Sequence, residues 1–395
     1  MDSRVVTRTK TMVEGDVAQV VSTAPLPLAG FTIGVTAARR AEDFAALLIR
    51  KGAMVLHAPA IKIIPLADDD ELERATESVV QSPPDIVIAT TGIGFRGWVE
   101  AAESWGESGR LLHALKRTRV LSRGPKTTGA IRAAGLREEW SPEGESAAEV
   151  VRYLLTEGVA GVRIAVQLHG TGSQWEVQYD ICAALRDAGA VVLPVPVYRW
   201  TPPADLGPLD RLIDACVSGA LDALTFTSAP AVASVLSRAK ASGMFDELRT
   251  ALRGGMLVAC VGPVTAAPLQ AIDVPTAQPA KARLGALARY LVEELPARVP
   301  QLDVAGSALS IRGQGVVLDG EMKALPPAGM ALLRALARCP GHVVSMQELL
   351  VALPGNSDDT HAVEAAVGRL RALLGEPRLV QTVVKRGYRL AVELA

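Results

Sequence analysis

Three groups of residues in this sequence could do chemistry. The first is cationic and lies near the C-terminus. Thr360, His361, Arg369 and Arg371 share a helical segment, Lys385 and Arg386 follow in a hairpin, and between His361 and Leu390 six Lys/Arg stand against two Glu. Val363, Val367, Leu370 and Leu374 form an apolar stripe on that helix, which leaves the cations on its other faces. A cationic helix-plus-hairpin is the footprint of a duplex reader, because phosphates attract it and the major groove admits a helix. Charge alone leaves a merely solvated face equally open.

The second group lies at the ends of apolar strands. Thr90-Thr91 follows one strand and Thr227-Ser228 another, and two turns, Gly124-Pro125-Lys126-Thr127 and Gly262-Pro263-Val264-Thr265, open helices. Helix N-termini and hydroxyls suit an anion, so these residues, with Arg39 and Arg40, are expected to line a cleft for an acidic small ligand. Gly92-Ile93-Gly94-Phe95-Arg96-Gly97 reads G-x-G-x-x-G between a strand and a helix. No acid ends the next strand at Leu121-Ser122-Arg123, so an anion site or a tight turn at Gly92 and Gly94 outweighs a dinucleotide loop. In the third group, the five histidines (His57, His113, His169, His342, His361) show no metal spacing. No metal is expected.

The elements that must position these groups come in two styles. From Leu28 to about Asp273, short apolar strands alternate with amphipathic helices, which implies parallel sheets covered on both faces. This stretch also repeats itself. Gly30 to Val35 is echoed by Gly161 to Val166, Asp85 to Thr91 by Asp222 to Ser228, and Gly124 to Thr128 by Gly262 to Ala266, all in the same order. Two α/β lobes with a cleft between them follow. After a Pro/Ala-rich stretch, a helix from Leu284 to Leu295 and a linker, the pattern becomes a hairpin over Leu309 to Leu318, three helices and a terminal hairpin over Leu379 to Val392. Ser345 with Glu348 predicts a capping box, and Gly375 stops the third helix.

The chain has 395 residues, 41 basic and 42 acidic, 49% hydrophobic and 4% aromatic. Its length allows two to four domains, and its apolar content excludes wholesale disorder. Near-neutrality excludes a uniformly basic nucleic-acid coat. No run is long and apolar enough for a membrane span, no signal peptide is evident, and Cys182, Cys216, Cys260 and Cys339 form no C-x-x-C pair. A reduced, cytoplasmic protein with no membrane contact is expected.

Two resemblances sharpen this reading. Leu318-Asp319-Gly320, Pro340 to Ser345, Glu348-Leu349-Leu350, Arg369-Leu370-Arg371, Leu373-Leu374-Gly375 and Gly387-Tyr388-Arg389-Leu390 resemble the winged-helix effector domain of OmpR/PhoB-type response regulators. The resemblance implies a helix in the major groove, with His361, Arg369 and Arg371 toward DNA and Lys385 and Arg386 on the wing. The family's L-T-x-x-E is replaced here by Leu325-Pro326-Pro327-Ala328-Gly329. The strand ends, the two G-P-x-T turns and Val197-Tyr198-Arg199 resemble uroporphyrinogen-III synthase. That family cyclises hydroxymethylbilane without a cofactor, and the resemblance implies Tyr198 as a proton donor with Thr127 and Thr265 as turn threonines. Thr36-Ala37-Ala38 lacks the family's arginine, and Gly170 to Glu176 lacks its cations, which favours sensing over turnover.

The expected fold is therefore α/β: a two-lobed synthase-like domain of parallel sheets flanked by helices, plus a C-terminal winged helix-turn-helix. The expected divisions are a flexible tail over 1–27, the synthase-like domain over 28–280 (lobe one 28–60 and 201–280, lobe two 66–195), helix and linker over 281–301, and the winged helix over 302–395. The joint architecture is similar to actinobacterial synthase/response-regulator fusions, some associated with nitrate and nitrite assimilation. A transcriptional regulator is implied, with double-stranded DNA, an acidic effector, a second regulator and a further copy of itself as partners. A working synthase that carries a DNA-binding domain is the alternative.

Overall fold

The computed structural model describes residues 25–65, 70–144, 146–169, 180–355 and 359–392. Most of the tail expected over 1–27, and the loop from Gly170 to Glu176, lie outside the described residues.

Lobe one is built on a four-stranded parallel sheet, β1 (Thr32–Val35), β2 (Met54–His57), β8 (Ala223–Phe226) and β9 (Leu257–Cys260), in the order β2-β1-β8-β9. Lobe two has β3 (Lys62–Pro65), β4 (Ile86–Ala89), β5 (Arg119–Ser122), β6 (Arg163–His169) and β7 (Val191–Thr201), in the order β3-β7-β6-β4-β5, with only β3 antiparallel to its neighbour. Strands β4, β8 and β9 are buried at every position, because both faces of the sheets are covered.

Helices α1 (Ala41–Ile49), α8 (Gly207–Val217), α9 (Ala229–Ala241), α10 (Phe245–Arg253), α11 (Pro263–Gln270) and α12 (Leu284–Arg298) cover lobe one. Helices α2 (Asp70–Gln81), α3 (Gly92–Ser104), α4 (Ser108–Lys116), α5 (Pro125–Ala133), α6 (Ala147–Glu157) and α7 (Ile181–Asp187) cover lobe two. The chain crosses between lobes twice, before β3 and after β7. There Ile61, Trp200 and Ala233 form a small buried patch, and the Ser234 hydroxyl donates to the Ala60 carbonyl at 2.6 Å.

The C-terminal domain opens with an antiparallel sheet of β10 (Gln301–Val304), β11 (Ser307–Arg312), β12 (Gly315–Leu318) and β13 (Glu321–Ala324). Helices α13 (Pro327–Ala337), α14 (Met346–Ala352) and α15 (Thr360–Leu374) follow, then the wing, β14 (Val380–Val383) and β15 (Gly387–Leu390). The sequence predicts the β11–β12 hairpin but not its flanking strands. The first of the three helices starts at Pro327. Proline is tolerated in a helix's first turn, where its missing N–H has no partner to lose. Ser345 and Glu348 form the capping box that opens α14. The Asp359 side chain caps α15, and Gly375 (φ 74°) ends it.

Candidate functional site

Both lobes present helix N-termini at the carboxyl ends of their strands. In lobe two, Thr91 caps α3, its hydroxyl accepting from the Gly94 N–H at 3.1 Å, and Gly124-Pro125 opens α5. In lobe one, Ser228 precedes α9 without a side-chain cap, and Gly262-Pro263 opens α11. Thr127 and Thr265 are buried in the first turns of α5 and α11. Arg39 and Arg40 are exposed after β1; Arg40 has a left-handed backbone (φ 52°) and pairs with Asp43 at 3.1 Å. The structure thus assigns Arg39, Arg40, Thr227, Ser228 and Thr265 to lobe one, and Thr90, Thr91, Gly92, Gly94 and Thr127 to lobe two.

The glycine motif has a packing explanation, as the tight-turn alternative expects. Gly92 to Gly97 is not a loop but the opening of α3, and Gly92 and Gly94 are buried. A Cβ on Gly92 would overlap the Lys126 carbonyl at the start of α5. One on Gly94 would overlap the Gln167 amide and lie 2.5 Å from Val197 Cγ2. The third glycine, Gly97, has open space around it. The first two let α3 press against α5, β6 and β7. Thr90 is also inward: it is buried, and its hydroxyl donates to the Gln167 carbonyl at 2.9 Å.

Gln167 is the site residue that the sequence reading missed. It is buried in β6, and its Nε2 donates to the Thr91 carbonyl at 3.1 Å and to the Thr91 hydroxyl at 2.8 Å. The signal was available: a lone amide in the apolar strand Arg163-Ile164-Ala165-Val166-Gln167-Leu168. Tyr198 sits on β7, half-buried against lobe two's core, in register with Pro65 on one side and His169 on the other. Burial pushes the Cys216 and Cys260 thiols up to about 12, which leaves them structural. No group of metal-ligating residues occurs among the described residues.

The winged-helix domain keeps most of its predicted cations outward. Thr360, His361 and Arg369 are exposed on α15, while Val363, Val367, Leu370 and Leu374 are buried beneath it. Lys385 and Arg386 are exposed at the wing tip, where Lys385 takes a left-handed conformation (φ 61°). Arg371 corrects the expectation. Its guanidinium donates to the Val380 carbonyl at 2.9 and 2.6 Å and to the Thr382 hydroxyl at 2.9 Å, and it lies 5.5 Å from the Tyr388 ring centre. It ties α15 to the wing instead of facing outward. The wing is also held from below, where Val344 and Tyr388 exchange backbone hydrogen bonds at 2.8 and 3.0 Å.

Comparison with known proteins gives these surfaces a lineage. Residues 320–390 match the family described as transcriptional regulatory protein, C terminal. The transcriptional regulatory protein CutR of Streptomyces coelicolor is 40% identical over 111 residues, 28% of this chain and 50% of that protein. The uncharacterised protein YjjA of Bacillus subtilis is 29% identical over 272 residues, 68% of this chain and 98% of that one. A crystal structure of a mutant uroporphyrinogen III synthase from the extreme thermophile Thermus thermophilus aligns with a TM-score of 0.54 at 26% identity, covering 66% of this chain and 96% of that one. Residues 42–289, well over half the chain, match uroporphyrinogen-III synthase HemD, and it is to this family that the chain belongs, with an OmpR/PhoB-type domain added at its C-terminus.

Proposed function

We propose that the protein is a DNA-binding transcription regulator whose synthase-like lobes sense a small acidic molecule or receive a second regulator. One observation carries the reading: Thr360, His361 and Arg369 on α15 and Lys385 and Arg386 on the wing are all exposed on the added domain. A helix with an outward arginine fits the major groove, and a wing with two cations reaches the adjacent backbone. One domain makes few contacts, so two copies on half-sites about one helical turn apart are expected. The acidic effector is supported by the helix N-termini at the strand ends and by Arg39 and Arg40. Control of nitrate and nitrite assimilation genes, in the cytoplasm, is the finer reading and rests on the resemblance of the joint architecture.

Titration of labelled promoter fragments at several salt concentrations tests the DNA reading. Arg369→Ala should cost about 1–3 kcal/mol and relax preference at one base pair. Lys385→Ala should weaken all sequences alike and lower the salt slope by about one unit. Unchanged affinity in both variants would reduce this face to a solvated surface. A second reading, a working synthase, is favoured by the match to the synthase family across both lobes and by Tyr198 at the β6–β7 end. Rapid, Tyr198-dependent formation of the type-III ring from hydroxymethylbilane would establish it; mostly spontaneous type-I product would exclude it.

A further inference from the structure

The opposite, amino-terminal edge of lobe one carries a contact that neither family assigns. Asp222, just before β8, accepts from the Thr32 N–H at 2.7 Å through its carboxylate. Its backbone N–H donates to the Thr32 carbonyl at 2.9 Å, so the side chain and backbone together bracket the start of β1. The two-residue turn between β11 and β12, Gly313-Gln314, is seated on this bracket. The Gln314 N–H donates to the Gly30 carbonyl at 2.7 Å. Arg312 donates to the Pro27 and Ala29 carbonyls at 3.2 and 2.9 Å, with its guanidinium 5.2 Å from the Phe31 ring centre. Arg334 of α13 holds the Gly313 carbonyl from behind.

The fit depends on Gly313. A Cβ there would overlap the Asp222 carboxylate. Gly313 has no positive φ, so a side chain would strain the seat and not the turn. Burial pushes the Asp222 carboxyl above its usual range, in keeping with a lid over it. A second attachment runs alongside. Leu287, Ala288, Leu291 and Leu295 of α12 are buried in lobe one's core, and only Val299 and Pro300 separate α12 from β10. Lobe two, by contrast, is joined to lobe one by two crossing strands and a small patch.

We infer that the Asp222–Gly313 seat locks the winged-helix domain to lobe one, so that the two behave as one body. The DNA face lies on α15 and the wing, outside the seat, and stays exposed in the locked state. The lock rests on the regulator reading for its purpose, but its test needs neither DNA nor effector.

The Gln314 amide reports directly on the seat, because undocking leaves it at the tip of an open turn. Hydrogen exchange of the full chain should show this amide protected in the wild type. It should exchange at least about tenfold faster in Gly313→Leu and in Arg312→Ala. Small-angle scattering should show a larger maximum dimension for both variants and an unchanged one for Asp85→Ala. Equal Gln314 exchange and equal dimensions in the wild type and both variants would overturn the lock. Should Gly313→Leu fail to fold, Arg312→Ala decides the matter alone.

Discussion

The two lobes share one plan and differ in what they do with it. Each has an aspartate before an inner strand that brackets the neighbouring strand. Asp222 takes the Thr32 N–H at 2.7 Å, and Asp85 takes the Arg163 N–H at 2.8 Å. In each, the following strand ends in two hydroxyl residues and turns into a helix: Thr90-Thr91 into α3, Thr227-Ser228 into α9. Lobe one covers its aspartate with the winged-helix domain, whereas Asp85 is exposed. At the other edge the difference reverses. Lobe two packs its helix so tightly that it needs Gly92 and Gly94 where lobe one has Ala229 and Ala231. The same strand-turn-helix unit has been specialised at opposite ends, toward attachment in lobe one and toward close packing around Gln167 in lobe two.

The largest expected effect tests the close packing. Gly94→Ala forces a methyl against Val197 and the Gln167 amide. Overpacking of this kind costs about 1–3 kcal/mol. Gly97→Ala, with open space around it, should instead stabilise α3 by up to about 1 kcal/mol through helix propensity. Chemical denaturation of the two variants reads the contrast. A Gly94→Ala variant as stable as wild type would break the packing account and return the motif to a ligand loop.

An effect of the same order tests the attachment edge. Asp222→Ala leaves the Thr32 N–H without its carboxylate under a covering turn, which should cost about 1–3 kcal/mol. Asp85→Ala frees the Arg163 N–H to take water at an exposed site, so its cost should fall below about 1 kcal/mol. Equal losses in the two variants would mean that the hairpin turn adds nothing to the bracket.

Where the sequence was legible, the signal was local. The capping box of α14 and the end of α15 were readable because Ser345, Glu348 and Gly375 act on residues within one turn of themselves. The two-lobed plan was readable from its repeat, since each lobe writes the same strand endings in the same order. Strands β10 and β13 were missed because each is only four residues long, too short for its alternation to stand out from the flanking turns. Arg371 was misassigned because helical periodicity fixes a face of α15 but not the Val380 carbonyl that approaches it from the wing. The Asp222–Gly313 seat was invisible for the same reason: an aspartate before a strand and a glycine in a turn each have an ordinary local explanation. Gln167 alone could have been found, as an amide in a strand with no solvent face.

The smallest expected effect concerns charge, and it returns to the lobes. In lobe one, Arg238 of α9 holds Asp210 of α8 through two hydrogen bonds at 2.6 and 2.8 Å. In lobe two, Arg119 of β5 gathers Glu139 and, at 2.8 Å, Glu157 of α6. The Arg238 hydrogen bond holds the Asp210 carboxyl below its usual value, and the Arg119 hydrogen bond does the same for Glu157. A carboxyl whose pKa is depressed by folding contributes stability above its unfolded pKa and loses it as pH falls through the folded value. The Arg238→Ala and Arg119→Ala variants should therefore melt below wild type at pH 7, and both gaps should close as the pH drops below the ordinary carboxylate range. All five side chains are substantially solvated, so screening keeps each contribution small. Melting curves from pH 7 to pH 3 decide between charge and packing. A gap in Tm that persists unchanged at pH 3 would mean that the arginine stems, not their charges, hold these helices, because packing of the alkyl chain does not titrate.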